Sequence, residues 1–203
     1  MGIIRLYEIC PEAEKAGVEN AVVTGVTDNT AEVKQGSIFV CVKGARFDGH
    51  SAAAEMLSKG AVMIVADHDI KCGKQLVTDN TRLCLARLLN CFYGKPSEKL
   101  GLLAVTGTNG KTTTAHFVKH ILTTLGKKCG CVGTAGNDTC SGEFKPSQHG
   151  TPTVPRATVL YSWLGEMVSN GADYCVMEAS SQALDQYRIG CLLYTSDAAD
   201  DSL

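Results

Sequence analysis

Short apolar runs alternate with segments of helical periodicity along most of the chain. The apolar runs predict strands within 21–30 and at 37–42, 61–66, 75–78, 102–105, 128–133 and 172–178. The periodic segments predict helices near 12–16, 51–59, 82–89, 111–125 and 157–169. Strands and helices in alternation predict an α/β fold with a mostly parallel sheet, and the brevity of the run at 102–105 predicts a buried strand.

One polar segment divides this pattern. Glycine, proline and polar residues coincide at Gly94–Glu98, immediately before the strand at 102–105. We therefore predict a small N-terminal α/β domain at 1–94 and the start of a second domain at 95–190, which leaves 191–203 as a tail.

Composition narrows the possible partners. The chain of 203 residues is 44% hydrophobic and 20% charged, which is typical of globular proteins, and its net charge of −2 gives no reason to propose nucleic acid or an anionic membrane as a partner. Its start lacks the layout of a secretory signal, and no apolar run approaches the ~20 residues of a membrane span. We expect a cytoplasmic monomer.

The cysteines and histidines do not predict a metal site or a disulfide framework. None of the ten cysteines form a C-x-x-C pair, and Cys41, Cys84 and Cys175 fall in apolar runs, where reduced thiols act as small core residues. His116 and His120 are four residues apart on one predicted helix. This is zinc-ligand spacing, but no third ligand is in view.

A glycine-rich loop between a strand and a helix is the strongest candidate for chemistry. The general phosphate-loop pattern would need glycine where Val105 stands, so the loop is a variant form. Its backbone amides and the following helix N-terminus can hold an anion, Lys111 can neutralise a phosphate, and the Thr112 hydroxyl can hold Mg²⁺. The predicted ATP-binding residues are Gly107, Thr108, Asn109, Gly110, Lys111, Thr112 and Thr113.

A carboxylate ends a later strand. Glu178 follows the apolar residues of 172–177. In an open parallel sheet the carboxyl ends of the strands share one edge, so we expect Glu178 near Lys111 and Thr112. There it can supply an oxygen ligand to an ATP-bound Mg²⁺, with Lys111 and Glu178 as the catalytic residues.

The loop sequence TGTNGKTT at 106–113 resembles the ATP loop of the Mur ligases and of their folylpolyglutamate synthetase relatives. The segments 28–30, 33–40, 43–44 and 48–50 resemble the uridine-binding domain of the MurE branch, and 177–188 resembles its muramoyl-dipeptide and magnesium site. The resemblance implies an ATP- and Mg²⁺-dependent ligase of peptidoglycan precursor synthesis. Such an enzyme joins a diamino acid to UDP-N-acetylmuramoyl-L-alanyl-D-glutamate through an acyl phosphate.

The resemblance also implies which residues meet the UDP-N-acetylmuramoyl-dipeptide. The residues facing the uridine diphosphate would be Thr27, Asn29, Ala45, Arg46 and Phe47. Those facing the muramoyl sugar and peptide would be Thr153, Val154, Ser180, Gln186 and Arg188. The chain departs from the family at Asn29, where Ser is frequent, at Val154, where Thr is usual, and at Gln182, where His is frequent.

The end of the chain departs most, because 191–203 does not match the strand with which the family continues. We therefore expect an N-terminal fragment that is inactive as a ligase, since the family's carbamylated lysine and C-terminal amino-acid-binding domain lie outside it. The sequence leaves open whether diaminopimelate or lysine is added. It also leaves open a MurF-type or folylpolyglutamate synthetase-type ligase, a simple NTPase, and a non-catalytic nucleotide-binding module.

Overall fold

A computed structural model of the chain describes residues 3–45, 47–146 and 153–193. Arg46, residues 147–152 and all but the first residues of the predicted tail lie outside this part. The chain forms two compact units, Met1–Phe92 and Tyr93–Leu203, each with its own sheet. In the described part of the chain, no helix combines the length and the apolar character that crossing a membrane requires.

The first unit is built on a parallel sheet of four strands in the order β3-β4-β5-β6. A separate antiparallel pair joins β1 to β2. The strands are β1 (Ile4–Arg5), β2 (Val22–Val23), β3 (Gly25–Thr27), β4 (Ser37–Val40), β5 (Met63–Ala66) and β6 (Gln75–Val77). The helices are α1 (Leu6–Ile9), α2 (Glu12–Lys15), α3 (Ala53–Ser58) and α4 (Thr81–Phe92).

Strands β4 and β5 form the centre of this unit, and every one of their residues is buried. Successive side chains of a strand point to opposite faces, so complete burial means that both faces of the sheet are covered. Phe39 and Ile64 pack with Ala53 and Met56 of α3 in one core cluster. The predicted strands at 37–42 and 61–66 are confirmed, although each is shorter than predicted.

The strand predicted within 21–30 is divided into β2 and β3. At the break, the Thr24 N–H donates to the Gly36 carbonyl at 2.9 Å and the Thr24 hydroxyl donates to the Gln35 carbonyl at 2.6 Å. These bonds to the turn before β4 let the chain leave its antiparallel partner β1 and pair in parallel with β4.

The second unit has a mixed sheet of five strands in the order β10-β9-β8-β11-β7. Strands β8, β11 and β7 are parallel, while β9 and β10 extend the sheet with antiparallel pairs that the sequence did not predict. The strands are β7 (Gly101–Val105), β8 (Cys129–Gly133), β9 (Gly136–Asp138), β10 (Phe144–Pro146) and β11 (Tyr174–Glu178). The helices are α5 (Lys111–Thr124), α6 (Ala157–Ser169), α7 (Ser181–Asp185) and α8 (Gly190–Leu193).

The predicted burial of the strand at 102–105 is wrong. In β7, Leu103 and Ala104 are exposed, and no residue of the strand is fully buried. These two successive residues point to opposite faces of the sheet, so neither face is fully covered by described residues at this edge strand. Its parallel pairing with β11 agrees with the prediction.

Helix α5 packs on the sheet with only part of its apolar face. Ala115, Val118 and Leu122 contact the sheet residues Cys129 and Val176 in a second core cluster. Ile121 and Leu125 continue the same helical spacing but are 56% and 70% exposed. The helix predicted near 111–125 is therefore present, although helical spacing alone would have suggested a wider buried face.

The predicted burial of the cysteines in apolar runs is confirmed for Cys41, Cys84 and Cys175. Burial raises the pKa of the Cys41 thiol to about 12 and the pKa of Cys175 well above its usual value. Both thiols therefore stay protonated at neutral pH and behave as apolar core groups.

Candidate functional site

The loop between β7 and α5 has the backbone of an anion cradle. Gly107 and Gly110 have φ angles of +138° and +79°, in the left-handed region that favours glycine, and Gly110 caps the N-terminus of α5. A Cβ at Gly110 would meet no described heavy atom within 4 Å. The glycine is thus required by conformation, and the space outside it is open to a ligand at the positive end of the helix.

Lys111 folds back over this loop. Its Nζ donates to the Gly107 carbonyl at 2.6 Å and lies 3.3 Å from the Thr108 carbonyl. The ammonium therefore stays beside the first turn of α5, where its charge adds to that of the helix N-terminus. An anion seated on the loop would meet both.

Glu178 ends β11 beside the same loop, because it pairs in register with Val105 at the end of β7. Its side chain is buried, at 2% exposure. The Thr112 hydroxyl donates to Glu178 Oε2 at 3.1 Å, so the two residues predicted to hold a metal are in direct contact. Among the described residues, no lysine, arginine or histidine forms an ion pair with this carboxylate.

Thr134 is a further member of the site that sequence reasoning missed. Its N–H donates to Glu178 Oε1 at 2.8 Å, and its hydroxyl donates to Glu178 Oε2 at 3.0 Å. A Cβ on the preceding Gly133 would lie 2.3 Å from Glu178 Oε1, so glycine leaves room for the carboxylate. Its position could have been found from the sequence, since Thr134 is the first polar residue after the predicted strand at 128–133.

Thr153 extends this network, since its hydroxyl oxygen lies 3.2 Å from that of Thr134. Ser180 lies two residues after Glu178 and caps α7, where its hydroxyl accepts from the Ala183 N–H at 3.2 Å. Two residues predicted to face the sugar and peptide are therefore close in space or in sequence to the buried carboxylate.

Arg188 ties together the remaining predicted sugar and peptide residues. Its Nη1 donates to the Val154 carbonyl at 2.6 Å, and its Nη2 donates to Gln186 Oε1 at 2.7 Å. The Val154 side chain is fully buried, so this residue reaches the site through its backbone carbonyl.

The predicted uridine residues of the first unit follow neighbouring strands. At the end of β3, the Thr27 hydroxyl donates to Glu32 Oε2 at 2.7 Å and the Asn29 Nδ2 donates to Glu32 Oε1 at 2.9 Å. Ala45 and Phe47 are exposed in the loop after β4, while Arg46 lies outside the described residues. Glu32, which holds both Thr27 and Asn29, was not singled out from the sequence.

Comparison with known proteins places this geometry in a family. Residues 22–106 match the model of the "Mur ligase family, catalytic domain", and residues 105–199 match that of the "Mur ligase middle domain". The chain belongs to the Mur ligase family. One curated Mur ligase, UDP-N-acetylmuramoyl-L-alanyl-D-glutamate–2,6-diaminopimelate ligase of Bacillus licheniformis, is 38% identical over 178 residues. The match covers 87% of this chain and 36% of that relative, so the chain spans about a third of its length.

Solved structures show the same Mur ligase fold. A structure of a UDP-N-acetylmuramoyl-L-alanyl-D-glutamate–2,6-diaminopimelate ligase matches with a TM-score of 0.71 and 24% identity, over 93% of this chain and 38% of that one. The MurF ligase of Thermotoga maritima, solved in complex with ADP, matches with a TM-score of 0.52 and 24% identity, over 82% of this chain and 34% of that one.

Proposed function

We propose that this chain supplies the UDP-sugar-binding unit and the ATP loop of an ATP-dependent amide ligase. The ligase adds a diamino acid to UDP-N-acetylmuramoyl-L-alanyl-D-glutamate in peptidoglycan precursor synthesis. The observation that carries the proposal is the contact between the Thr112 hydroxyl and the buried Glu178 carboxylate at the mouth of the glycine loop. Among the described residues this carboxylate has only neutral donors as partners, and burying a charge in that way destabilises a fold unless a ligand cation compensates it.

The loop residues fit the phosphates of ATP. The open space outside Gly110, the amides of the first turn of α5 and the Lys111 ammonium together form a site for a phosphate chain. ATP supplies the phosphoryl group that converts an unreactive carboxylate into an acylating agent. We infer that Lys111 exchanges its loop carbonyls for phosphate oxygens and offsets the charge that develops on them.

The donor set beside the loop fits Mg²⁺. Thr112 and Glu178 offer a hydroxyl and a carboxylate, which are the hard oxygen ligands that this ion prefers. Mg²⁺ supplies positive charge against the phosphate oxygens. Thr134 has a positioning role, since its N–H and hydroxyl fix both oxygens of the Glu178 carboxylate before any ligand arrives.

The remaining predicted residues divide between the two substrate halves. We infer that Thr27, Asn29 and the 45–47 loop meet the uridine diphosphate at the carboxyl edge of the first sheet. We assign the sugar and peptide to Thr153, Ser180, Gln186 and Arg188, whose guanidinium suits a carboxylate. Val154 takes part by holding Arg188 through its carbonyl.

The comparisons support a diaminopimelate ligase over the MurF alternative. The diaminopimelate ligase structure aligns with a TM-score of 0.71, against 0.52 for MurF of Thermotoga maritima. The curated relative of Bacillus licheniformis is also named for 2,6-diaminopimelate. We therefore propose diaminopimelate as the incoming amino acid.

Two measurements test the proposal. Calorimetry on the chain should show ATP binding that needs Mg²⁺. For turnover, residues 22–188 should replace the matching segment of the Bacillus licheniformis ligase, and phosphate release should then be followed. We expect release only when ATP, Mg²⁺, UDP-N-acetylmuramoyl-dipeptide and diaminopimelate are all present. Release without the amino acid would indicate a simple NTPase, and a chain that binds no ATP would contradict the proposal.

A further inference from the structure

A second group of side chains converges in the first unit, at the carboxyl edge of its parallel sheet. His50 lies in the 3₁₀ turn Gly49–Ala52 that follows β4, while Asp67 and His68 come directly after β5. Their ligand atoms all lie within 4.8 Å of one another. We refer to these three residues as the histidine–aspartate cluster.

A single carboxylate oxygen lies between the two imidazoles of the cluster. His50 Nε2 is 3.1 Å from Asp67 Oδ1, and His68 Nδ1 contacts the same oxygen. The two rings stack with centroids 4.7 Å apart. The His50 side chain is 8% exposed, whereas those of Asp67 and His68 are 45% and 61% exposed. One ligand is therefore anchored in the protein and two are accessible from solvent.

The hydrogen bonds around His50 determine which of its nitrogens faces the cluster. His50 Nδ1 lies 2.6 Å from Asp48 Oδ1, and an ionised carboxylate can only accept, so Nδ1 carries a proton. The Asp67 N–H points at Nε2 at 3.4 Å, which agrees with a lone pair on that atom. His50 Nε2 therefore has its lone pair on the side of Asp67, and Asp67 Oδ1 lies 3.1 Å from this nitrogen, close enough for one cation to bind both atoms.

We propose that His50, Asp67 and His68 form a binding site for a zinc-class divalent ion. Two imidazole nitrogens and one carboxylate oxygen are a ligand set that zinc uses with three protein ligands and one open position. Mg²⁺ and Ca²⁺ prefer oxygen ligands alone and do not fit it. Asp48 is a positioning residue, because it fixes the tautomer and the orientation of the His50 ring, as carboxylates behind metal-bound histidines do.

The site is independent of the nucleotide loop and can be tested separately. The probe is ZnCl₂ titrated by calorimetry into the 203-residue chain, with Co²⁺ absorption as a second readout of ligand geometry. The matched control is the double variant His116→Ala/His120→Ala, because these two histidines on α5 stand at the i, i+4 spacing that suits zinc.

We expect one-to-one zinc binding by the chain and by the His116→Ala/His120→Ala control. His68→Ala, at an exposed position where the fold should persist, should lose this binding while retaining its circular dichroism spectrum and its ATP affinity. Asp48→Asn should weaken it about 10–100-fold, as expected for the loss of a carboxylate behind a ligand. Equal zinc affinity in His68→Ala and the unmodified chain would overturn the proposal. So would loss of binding in the α5 control alone, or no saturable binding by the unmodified chain.

Discussion

Replacing Gly133 by alanine tests how tightly the Glu178 carboxylate is held. The added Cβ would lie 2.3 Å from Glu178 Oε1, and real Cβ contacts essentially never fall below 3.0 Å. The backbone of Gly133 does not have positive φ, so alanine is not strained there for conformational reasons. The steric conflict must therefore be relieved by moving the Glu178 side chain away from the N–H of Thr134.

The size of the effect follows from the bonds at stake. Displacing Oε1 sacrifices its bond from the Thr134 N–H, and a hydrogen bond to a charged group contributes about 1.5–3 kcal/mol. Alanine recovers about 0.4–1 kcal/mol by restricting the unfolded chain. The hydrogen-bond loss is larger, so we expect a net destabilisation of about 1–2 kcal/mol. For a unit of this size that lowers its Tm by roughly 5–15 °C.

The measurement is thermal and urea unfolding followed by circular dichroism, with Gly25→Ala as the matched control. Gly25 also lies in a strand and lacks positive φ, but a Cβ there meets no described heavy atom within 4 Å. This control should be neutral or stabilising by up to about 1 kcal/mol. A Gly133→Ala variant as stable as the Gly25→Ala control would show that Glu178 has room to move, and our account of the site would fail.

Four further results are expected. Lys111→Ala should weaken ATP binding about 10–100-fold in calorimetry and leave the fold unchanged, because a charged contact to phosphate is lost. An unchanged ATP affinity would mean that the loop is only a structural turn. Glu178→Gln should make ATP binding require a higher Mg²⁺ concentration, because a neutral amide is a poorer ligand for this ion. An identical Mg²⁺ titration would show that Glu178 is not a metal ligand. Iodoacetamide at pH 8 should not label Cys41 or Cys175 in the native chain, because burial raises the pKa of both thiols, but should label both in guanidinium. Labelling is read by mass spectrometry, and rapid labelling of the native chain would contradict this expectation. Because the folded-state pKa of Cys41 is about 12 and exceeds the unfolded value of 9.0, its contribution to stability should be complete below pH 9 and decline as the pH rises from 9 toward 12.

Local sequence patterns were sufficient to predict the strand and the helix on either side of the glycine loop. The helix predicted at 157–169 is α6 with the same bounds, and the strand, glycine loop and helix around 102–125 are all present. In each, neighbouring residues along the chain hold the information: a period of 3.6, a short apolar run, or glycines at positions that need positive φ. Glu178 could be placed at the same edge for a similar reason, since all parallel strands end on one side of their sheet.

Features that depend on distant parts of the chain could not be predicted in this way. The exposure of Ile121 and Leu125 depends on which surfaces pack against α5, and helical spacing alone does not show which surfaces those are. The antiparallel strands β9 and β10 are three residues long, too short for a periodic signal. Thr134 was missed because its role requires β8 and β11 to be neighbours, although 40 residues lie between the last residue of β8 and the first residue of β11.

Strand order explains why the candidate metal site forms where it does. In the second unit, the first parallel strand in sequence, β7, leads into the glycine loop. The second, β8, is followed directly by Thr134, and the last, β11, ends at Glu178. In the sheet, however, β11 lies between the other two. The last strand therefore carries its carboxylate between a hydroxyl from one neighbour's loop and an N–H from the other neighbour's end. A sheet that kept the order β7-β8-β11 would hold the same residues at the same edge but would separate Glu178 from Thr112 by a full strand. The site depends on the insertion of β11 between β7 and β8 as much as on the residues that form it.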